Sequence, residues 1–187
     1  MTSTKEELEF GYGLKIPKDR IAVLIGKKGE TKRHIETITK TKISIDSKEG
    51  DVSIKGKDAL GMYAAREIVR AIGRGFNPEI AQLLMKHDYS FELLDLSNFS
   101  KTKNDTKRLK GRVIGEKGKS RKTIEELTGA YISVYGKTIA ILGEISAVGL
   151  ARRAVESLLS GSPHANVYRW LEKQRREIKK KEVLESF

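Results

Sequence analysis

Arg112-Val113-Ile114-Gly115-Glu116-Lys117-Gly118-Lys119-Ser120-Arg121-Lys122 runs on into Thr123-Ile124-Glu125-Glu126-Leu127-Thr128-Gly129-Ala130-Tyr131-Ile132-Ser133-Val134, and the fold turns on that stretch. An earlier copy reads Ala22-Val23-Leu24-Ile25-Gly26-Lys27-Lys28-Gly29-Glu30-Thr31-Lys32-Arg33, then His34-Ile35-Glu36-Thr37-Ile38-Thr39-Lys40-Thr41-Lys42-Ile43-Ser44-Ile45. Each copy is an apolar segment, Ile-Gly-x-x-Gly, a basic amphipathic segment and an alternating apolar pair. Glycines three apart let a loop turn tightly and bring backbone N–H groups against a phosphate. The helical periodicity that follows puts the loop at a helix N-terminus, where unpaired N–H groups and the dipole favour an anion. One Gly-x-x-Gly among 17 glycines is weak evidence; two with matching flanks are strong.

On these residues the sequence resembles tandem KH-domain proteins, whose Gly-x-x-Gly loop clamps the backbone of about four unpaired nucleotides. More closely, two KH units with no appended S1 or zinc module and a basic C-terminal helix resemble the partner-of-Nob family of pre-ribosomal-RNA processing factors in its archaeal form. The resemblance implies an α+β fold of two consecutive type I KH domains, βααββα each, plus a C-terminal amphipathic helix.

The 187 residues allow two small domains or one medium one, and the repeat decides for two. Lys and Arg number 37 against 25 Asp and Glu, a net charge of +12 that favours a polyanionic partner. Cysteine is absent, so there is no disulfide framework and no thiol nucleophile. The N-terminus lacks an apolar signal core and Ile21 to Ile25 is too short to span a bilayer, so a soluble cytoplasmic protein without membrane contact is expected.

In chain order, residues 1–13 read as a polar lead-in, 14–86 as the first KH unit, 87–162 as the second and 163–187 as the basic helix. Leu14 to Pro17 gives a short strand, Lys18 to Leu24 a helix, and Glu30 to Thr39 a second helix burying Ile35 and Ile38. Ile43 and Ile45, then Val52 and Ile54, alternate as a hairpin. Leu60, Ala64, Ile68 and Ile72 step by four along a closing helix. Only 25 residues precede Gly26, and the strand and helix lie downstream, which selects the type I order.

The second copy begins with strand Tyr89 to Leu96 and inserts Ser97 to Lys107 before its loop. Strands Tyr131 to Tyr135 and Thr138 to Leu142 follow, and the closing helix carries Val148, Ala151, Val155 and Leu158 on one face. Ser160-Gly161-Ser162-Pro163 stops that helix. From Ala165 to about Glu182, Val167, Trp170 or Leu171, Gln174 and Ile178 lie on one side and Arg175, Arg176 and Lys179 to Lys181 opposite. That stripe is expected to dock on the chain's own body, across both KH units, with a partner surface or an RNA extension as alternatives.

Ten basic residues fall between Lys101 and Lys122 against two acids, net +8; between Lys18 and Arg33 the count is six against two, net +4. The second unit is therefore the expected stronger electrostatic site. Its loop departs from the pattern, since Glu116 stands where phosphate should pass; Glu116 is expected to face solvent or offset Lys119. The candidate RNA-binding residues are Ile25, Gly26, Lys27, Lys28, Gly29, Lys32 and Arg33 in the first copy. In the second they are Lys110, Arg112, Ile114, Gly115, Glu116, Lys117, Gly118, Lys119, Arg121 and Lys122. Ile25, Ile35, Ile43 and Ile45, with Ile114, Ile124, Ile132 and Val134, are candidates for core or for an aliphatic base groove. Aromatic residues at 6% argue against a surface of stacked rings.

Other chemistries lack their residues. A P-loop ending at Gly118-Lys119-Ser120 needs glycine at 113, where Val113 stands. His34, His87 and His164 are scattered with no acidic or Cys company at ligand spacing, so no metal site is expected. No Gly-x-Gly-x-x-Gly follows a strand, and adjacent acids such as Glu125-Glu126 carry no nuclease signature, so a non-enzyme without cofactor is expected.

The family resemblance implies binding of single-stranded RNA at the 3′ region of 16S rRNA in the 30S precursor. It also implies partnership with the Nob-type endonuclease and the dimethyladenosine transferase. An exosome-like RNA-entry subunit and a KH scaffold that contacts protein are the alternatives. Replacing Gly26, Gly29, Gly115 and Gly118 by Asp is expected to abolish RNA retention with the fold intact, more so at 115 and 118.

Overall fold

Both glycine loops lie between two helices of a β-α-α-β-β-α unit in the computed structural model, which describes residues 10–185. The chain divides into two compact units, with the boundary between His87 and Asp88. The first unit holds β1 (Phe10–Lys15), α1 (Lys18–Ile25), α2 (Glu30–Thr39), β2 (Thr41–Ile45), β3 (Asp51–Gly56), α3 (Ala59–Gly73) and a short α4 (Pro78–Ala81). The second holds β4 (Tyr89–Asp95), α5 (Lys103–Ile114), α6 (Lys119–Thr128), β5 (Tyr131–Tyr135), β6 (Thr138–Glu144), α7 (Ile145–Leu159) and α8 (His164–Glu185).

Each sheet is antiparallel, in order β1-β3-β2 and β4-β6-β5. The first strand of each hairpin, β2 or β5, is thus an edge, and β3 or β6 is central. In register, Ile43 faces Ile54 and Ile45 faces Val52; Ile132 faces Ile141 and Val134 faces Ile139. The period-2 pattern puts these residues toward the helices. Ile21, Leu24, Ile35, Ile54, Ile68 and Ile72 complete the first core at 5% exposure or less. Leu109, Val113, Ile124, Val155 and Leu158 do the same in the second. Removing one such side chain costs about 2–5 kcal/mol.

Several sequence expectations change in detail. β1 starts at Phe10, inside the expected lead-in, because Gly11 and Gly13 sit on its open face while Tyr12 lies under the Arg66 guanidinium at 4.6 Å. Residues 1–9 of that lead-in lie outside the described residues. The Leu60-Ala64-Ile68-Ile72 stripe drifts off the core face: Leu60 is 75% exposed and Ala64 only half-buried. Steps of four advance about 40° past a full turn each, so three steps rotate the stripe by about 120°. The buried face is Gly61, Met62, Ala65, Ile68, Val69 and Ile72. Asp58 starts this helix by accepting the N–H groups of Leu60 and Gly61.

Half of the expected Ser97–Lys107 insertion is helix. The Thr102 hydroxyl accepts the Asp105 N–H at 3.1 Å and donates to the Asp105 carboxylate, which opens α5 at Lys103. The C-terminal helix buries Val167 and Leu171 in the core of the second unit, against α6 and α7. Trp170 is half-buried beneath the Arg153 guanidinium, 5.1 Å away. Ile178, expected on the docked side, is 39% exposed. Residues 186 and 187 lie outside the described residues. Among the described residues, no helix is long and apolar enough to cross a membrane.

Candidate nucleic-acid interface

The two loops have the same backbone. Gly26 and Gly115 take φ 73° and 71° with ψ 177° in both; Lys28 and Lys117 take φ 53° and 50°; Gly29 and Gly118 take φ 79° and 80°. Three left-handed residues out of four turn the chain from one helix directly into the next. The Gly29 N–H donates to the Gly26 carbonyl at 3.2 Å, and Gly118 to Gly115 at 3.3 Å, closing each turn.

The paired glycines have different jobs. A Cβ at Gly26 would meet Thr31 Cβ at 2.7 Å and its backbone N at 2.8 Å; one at Gly115 would meet Ser120 Cβ at 2.6 Å and its backbone N at 2.7 Å. The first glycine therefore lets the loop lie on the first turn of α2 or α6. A Cβ at Gly29 would come no nearer than 3.9 Å to a neighbour, and one at Gly118 would meet nothing within 4 Å. The space over the helix N-terminus beside the second glycine is open. The expectation that Asp at all four positions spares the fold is corrected: positions 26 and 115 have no room for any side chain.

Side chains sort in the same way. Lys27 and Lys28, and Glu116 and Lys117, are exposed on the loops, and Lys119 and Lys122 are exposed on the first turns of α6. Glu116 takes the solvent-facing option. Arg33 folds back, donating to the carbonyls of Lys28 at 2.6 Å and Gly29 at 3.2 Å, so it braces the first loop. Lys110 is half-buried on α5. Arg112, a candidate ligand from its charge, is committed to the fold: Nε donates to the Leu158 carbonyl at 3.0 Å and Nη2 to the Ser162 carbonyl at 2.7 Å. In the first unit Arg20 does the same for Ile72 at 2.8 Å and Phe76 at 2.7 Å. Each arginine takes up carbonyls at the end of the closing helix, where charge complements the dipole. His164 contacts the Arg112 carbonyl through Nε2 at 2.8 Å.

Beside each loop, between the second helix and the edge strand, half-buried apolar groups are separated from buried ones. Ile35, Ile43, Ile124 and Ile132 are core; Ile25 and Ile45, and Ile114 and Val134, are half-buried. The sequence reading overlooked two carboxylates here. Glu36 Oε1 accepts the Ile43 N–H at 2.7 Å, and Glu125 Oε1 accepts the Ile132 N–H at 2.7 Å. They take up an edge-strand donor that no neighbouring strand can pair. Lys32 lies 3.8 Å from Glu36 and Arg121 3.8 Å from Glu125, so both candidate cations stand one helical turn from a carboxylate. The signal was present: Glu36 and Glu125, like Lys32 and Arg121, are 89 residues apart, the separation of Gly26 and Gly115. Among the described residues no group of three or more His, Cys, Asp or Glu could hold a metal ion.

The chain is similar to known proteins along nearly all of this architecture. Residues 90–176 match the family described as eukaryotic type KH-domain, type I, and residues 12–71 match the KH domain. A KH domain-containing protein of Methanocaldococcus jannaschii is 53% identical over 89% of this chain and 75% of its own length. The pre-rRNA-processing protein pno1 of Aspergillus fumigatus is 30% identical over 59% of this chain and 45% of its own. Among solved structures, the aDim2p chain type seen in the a/eIF2alpha-aDim2p-rRNA complex of Pyrococcus horikoshii superposes with a TM-score of 0.86 at 47% identity, covering 92% of this chain and 98% of that one.

Proposed function

Because this chain belongs to the family of tandem type I KH proteins that includes pno1 and Dim2, we propose that it is an RNA-binding ribosome assembly factor holding single-stranded ribosomal RNA. The observation that carries the proposal is the duplicated loop, whose second glycine leaves open space over a helix N-terminus ringed by lysines. Phosphates enter there, drawn by Lys27, Lys28, Lys117, Lys119 and Lys122 and received by main-chain N–H groups. Ile25 and Ile114, with Lys32 and Arg121, border the bases. The target is the 3′ region of 16S rRNA within the 30S precursor, and the protein partners are the Nob-type endonuclease and the dimethyladenosine transferase. The protein works in the cytoplasm and holds its RNA without catalysing a reaction on it. The rRNA named for the Pyrococcus complex supports a ribosomal RNA target.

Crosslinking in cells followed by sequencing of the bound RNA tests the assignment. Reads concentrated at the 3′ end of the small-subunit RNA are expected. Scattered messenger RNAs with no ribosomal peak would end it.

A further inference from the structure

We propose that the outward face of α8 is a separate RNA-backbone site, extending the phosphate track that starts at the second glycine loop. The inference rests on the RNA-binding reading above and adds a ligand surface to it. α8 is 22 residues long, about 33 Å, yet its buried anchors, Val167 and Leu171, lie in its first two turns. Beyond the half-buried Gln174 the helix runs out exposed, with Ile178 at 39%, Val183 at 58% and Leu184 at 76%.

Along that helix, residues 169–181 carry seven basic side chains against Glu172 and Glu177. Four of them, Arg169, Lys173, Arg176 and Lys180, recur at helical spacing, fall within about 60° of one another and point away from Val167 and Leu171. All four are exposed. The row climbs about one turn per cation over roughly 16 Å, a ladder of positive charge suited to a polyanionic strand. Lys173 pairs with Glu177 at 4.0 Å and Arg176 with Glu172 at 3.8 Å, but these are exposed contacts that solvent screens and phosphate can replace.

The row is tied to the second loop. The Arg112 guanidinium reaches the Ser162 carbonyl and the Arg112 carbonyl meets His164 Nε2, which joins the start of α8 to the last turn of α5, three residues before Gly115. α8 also packs along α6, the helix that the loop opens. In the first unit, the equivalent segment is α4, four residues long and followed by a single 3-10 turn ending at Met85. The ladder therefore belongs to the second unit, and it places the extra RNA contact beyond that unit's loop.

The test uses the full-length chain with Lys173→Ala, Arg176→Ala and Lys180→Ala combined, changes that face solvent and favour helix. Fluorescence anisotropy follows two labelled strands from the 3′ end of 16S rRNA, one of about four to six nucleotides and one of roughly 30. Affinity for the longer strand is expected to fall about 10-fold, and its log–log dependence on salt to become shallower by about 2, while the short strand changes less than about twofold. An unchanged longer strand, or an equal loss on both, would overturn the proposal. Wild-type protein that holds the longer strand but not the short one would strike instead at the loop clamp and leave the ladder standing.

Discussion

The two units build the same loop from different sequences. Their loops agree within a few degrees, although one carries Lys27-Lys28 and the other Glu116-Lys117. Their closing helices are capped by arginines placed one turn apart on the helix before the loop, Arg20 six residues before its loop and Arg112 three before. The separation of equivalent residues is 89 through the loop and the edge strand, as for Gly26 and Gly115, and 86 at the closing helix, as for Ile72 and Leu158. The three lost residues lie in the hairpin turn, 46–50 in one unit and 136–137 in the other. Backbone geometry is what the repeat preserves, and side-chain charge is what it varies. On the proposed function, the main-chain loop is the common instrument and the lysines around it set the strength of each unit's grip.

The sharpest way to break that comparison is to separate the two glycines of each loop. Asp at Gly26 or Gly115 collides with the first turn of the next helix and should cost about 3 kcal/mol or more, seen as a large drop in melting temperature. Asp at Gly29 or Gly118 meets no such barrier and pays only for its left-handed φ, about 1–2 kcal/mol. Equal losses at both positions would erase the distinction.

The next largest difference should appear where the second unit has α8 and the first has α4. Leu171→Ala removes a 1%-exposed anchor and should destabilise the second unit by about 2–5 kcal/mol in denaturant titrations. Met85, at the end of the first unit's short equivalent, is 37% exposed, and Met85→Ala should cost less than about 1 kcal/mol. Below the Leu171 loss comes that from Arg112→Ala or Arg20→Ala, about 1–3 kcal/mol each, because each leaves helix-end carbonyls without a charged donor. Similar losses from the two would show that the arginines are equivalent despite their different places in sequence. Glu125→Gln retains the hydrogen bond to Ile132 and should change stability by less than about 1 kcal/mol, with the same result for Glu36→Gln.

Much of this fold was legible because the repeat supplied its own control. Glu30–Thr39 and Tyr131–Tyr135 have the bounds that apolar period and flanking residues indicated. The errors have local causes. Alternating glycines hid the start of β1, and Leu60 looked like core because four-residue steps drift around a helix. Site residues were harder, since charge does not say where a guanidinium points. Arg112 and Arg33 read as ligands but are held by backbone carbonyls, which only the folded chain brings near. Conversely, Glu36 and Glu125 were overlooked, because their partners, the Ile43 and Ile132 N–H groups, come near only when the edge strand lies alongside the helix.

The central claim is that open main-chain loops, and not bulk charge, hold the RNA. It is tested most directly by a filter-binding titration of 16S 3′-end RNA with the Lys28→Asp and Lys117→Asp double variant. Both positions are exposed, and Asp tolerates their left-handed backbone, so the fold should stay intact by circular dichroism. A carboxylate on each loop should lower affinity by about 100-fold or more, well beyond the loss from Lys40→Asp and Lys137→Asp, the same charge change placed away from the loops. Equal losses from the two pairs would contradict the account.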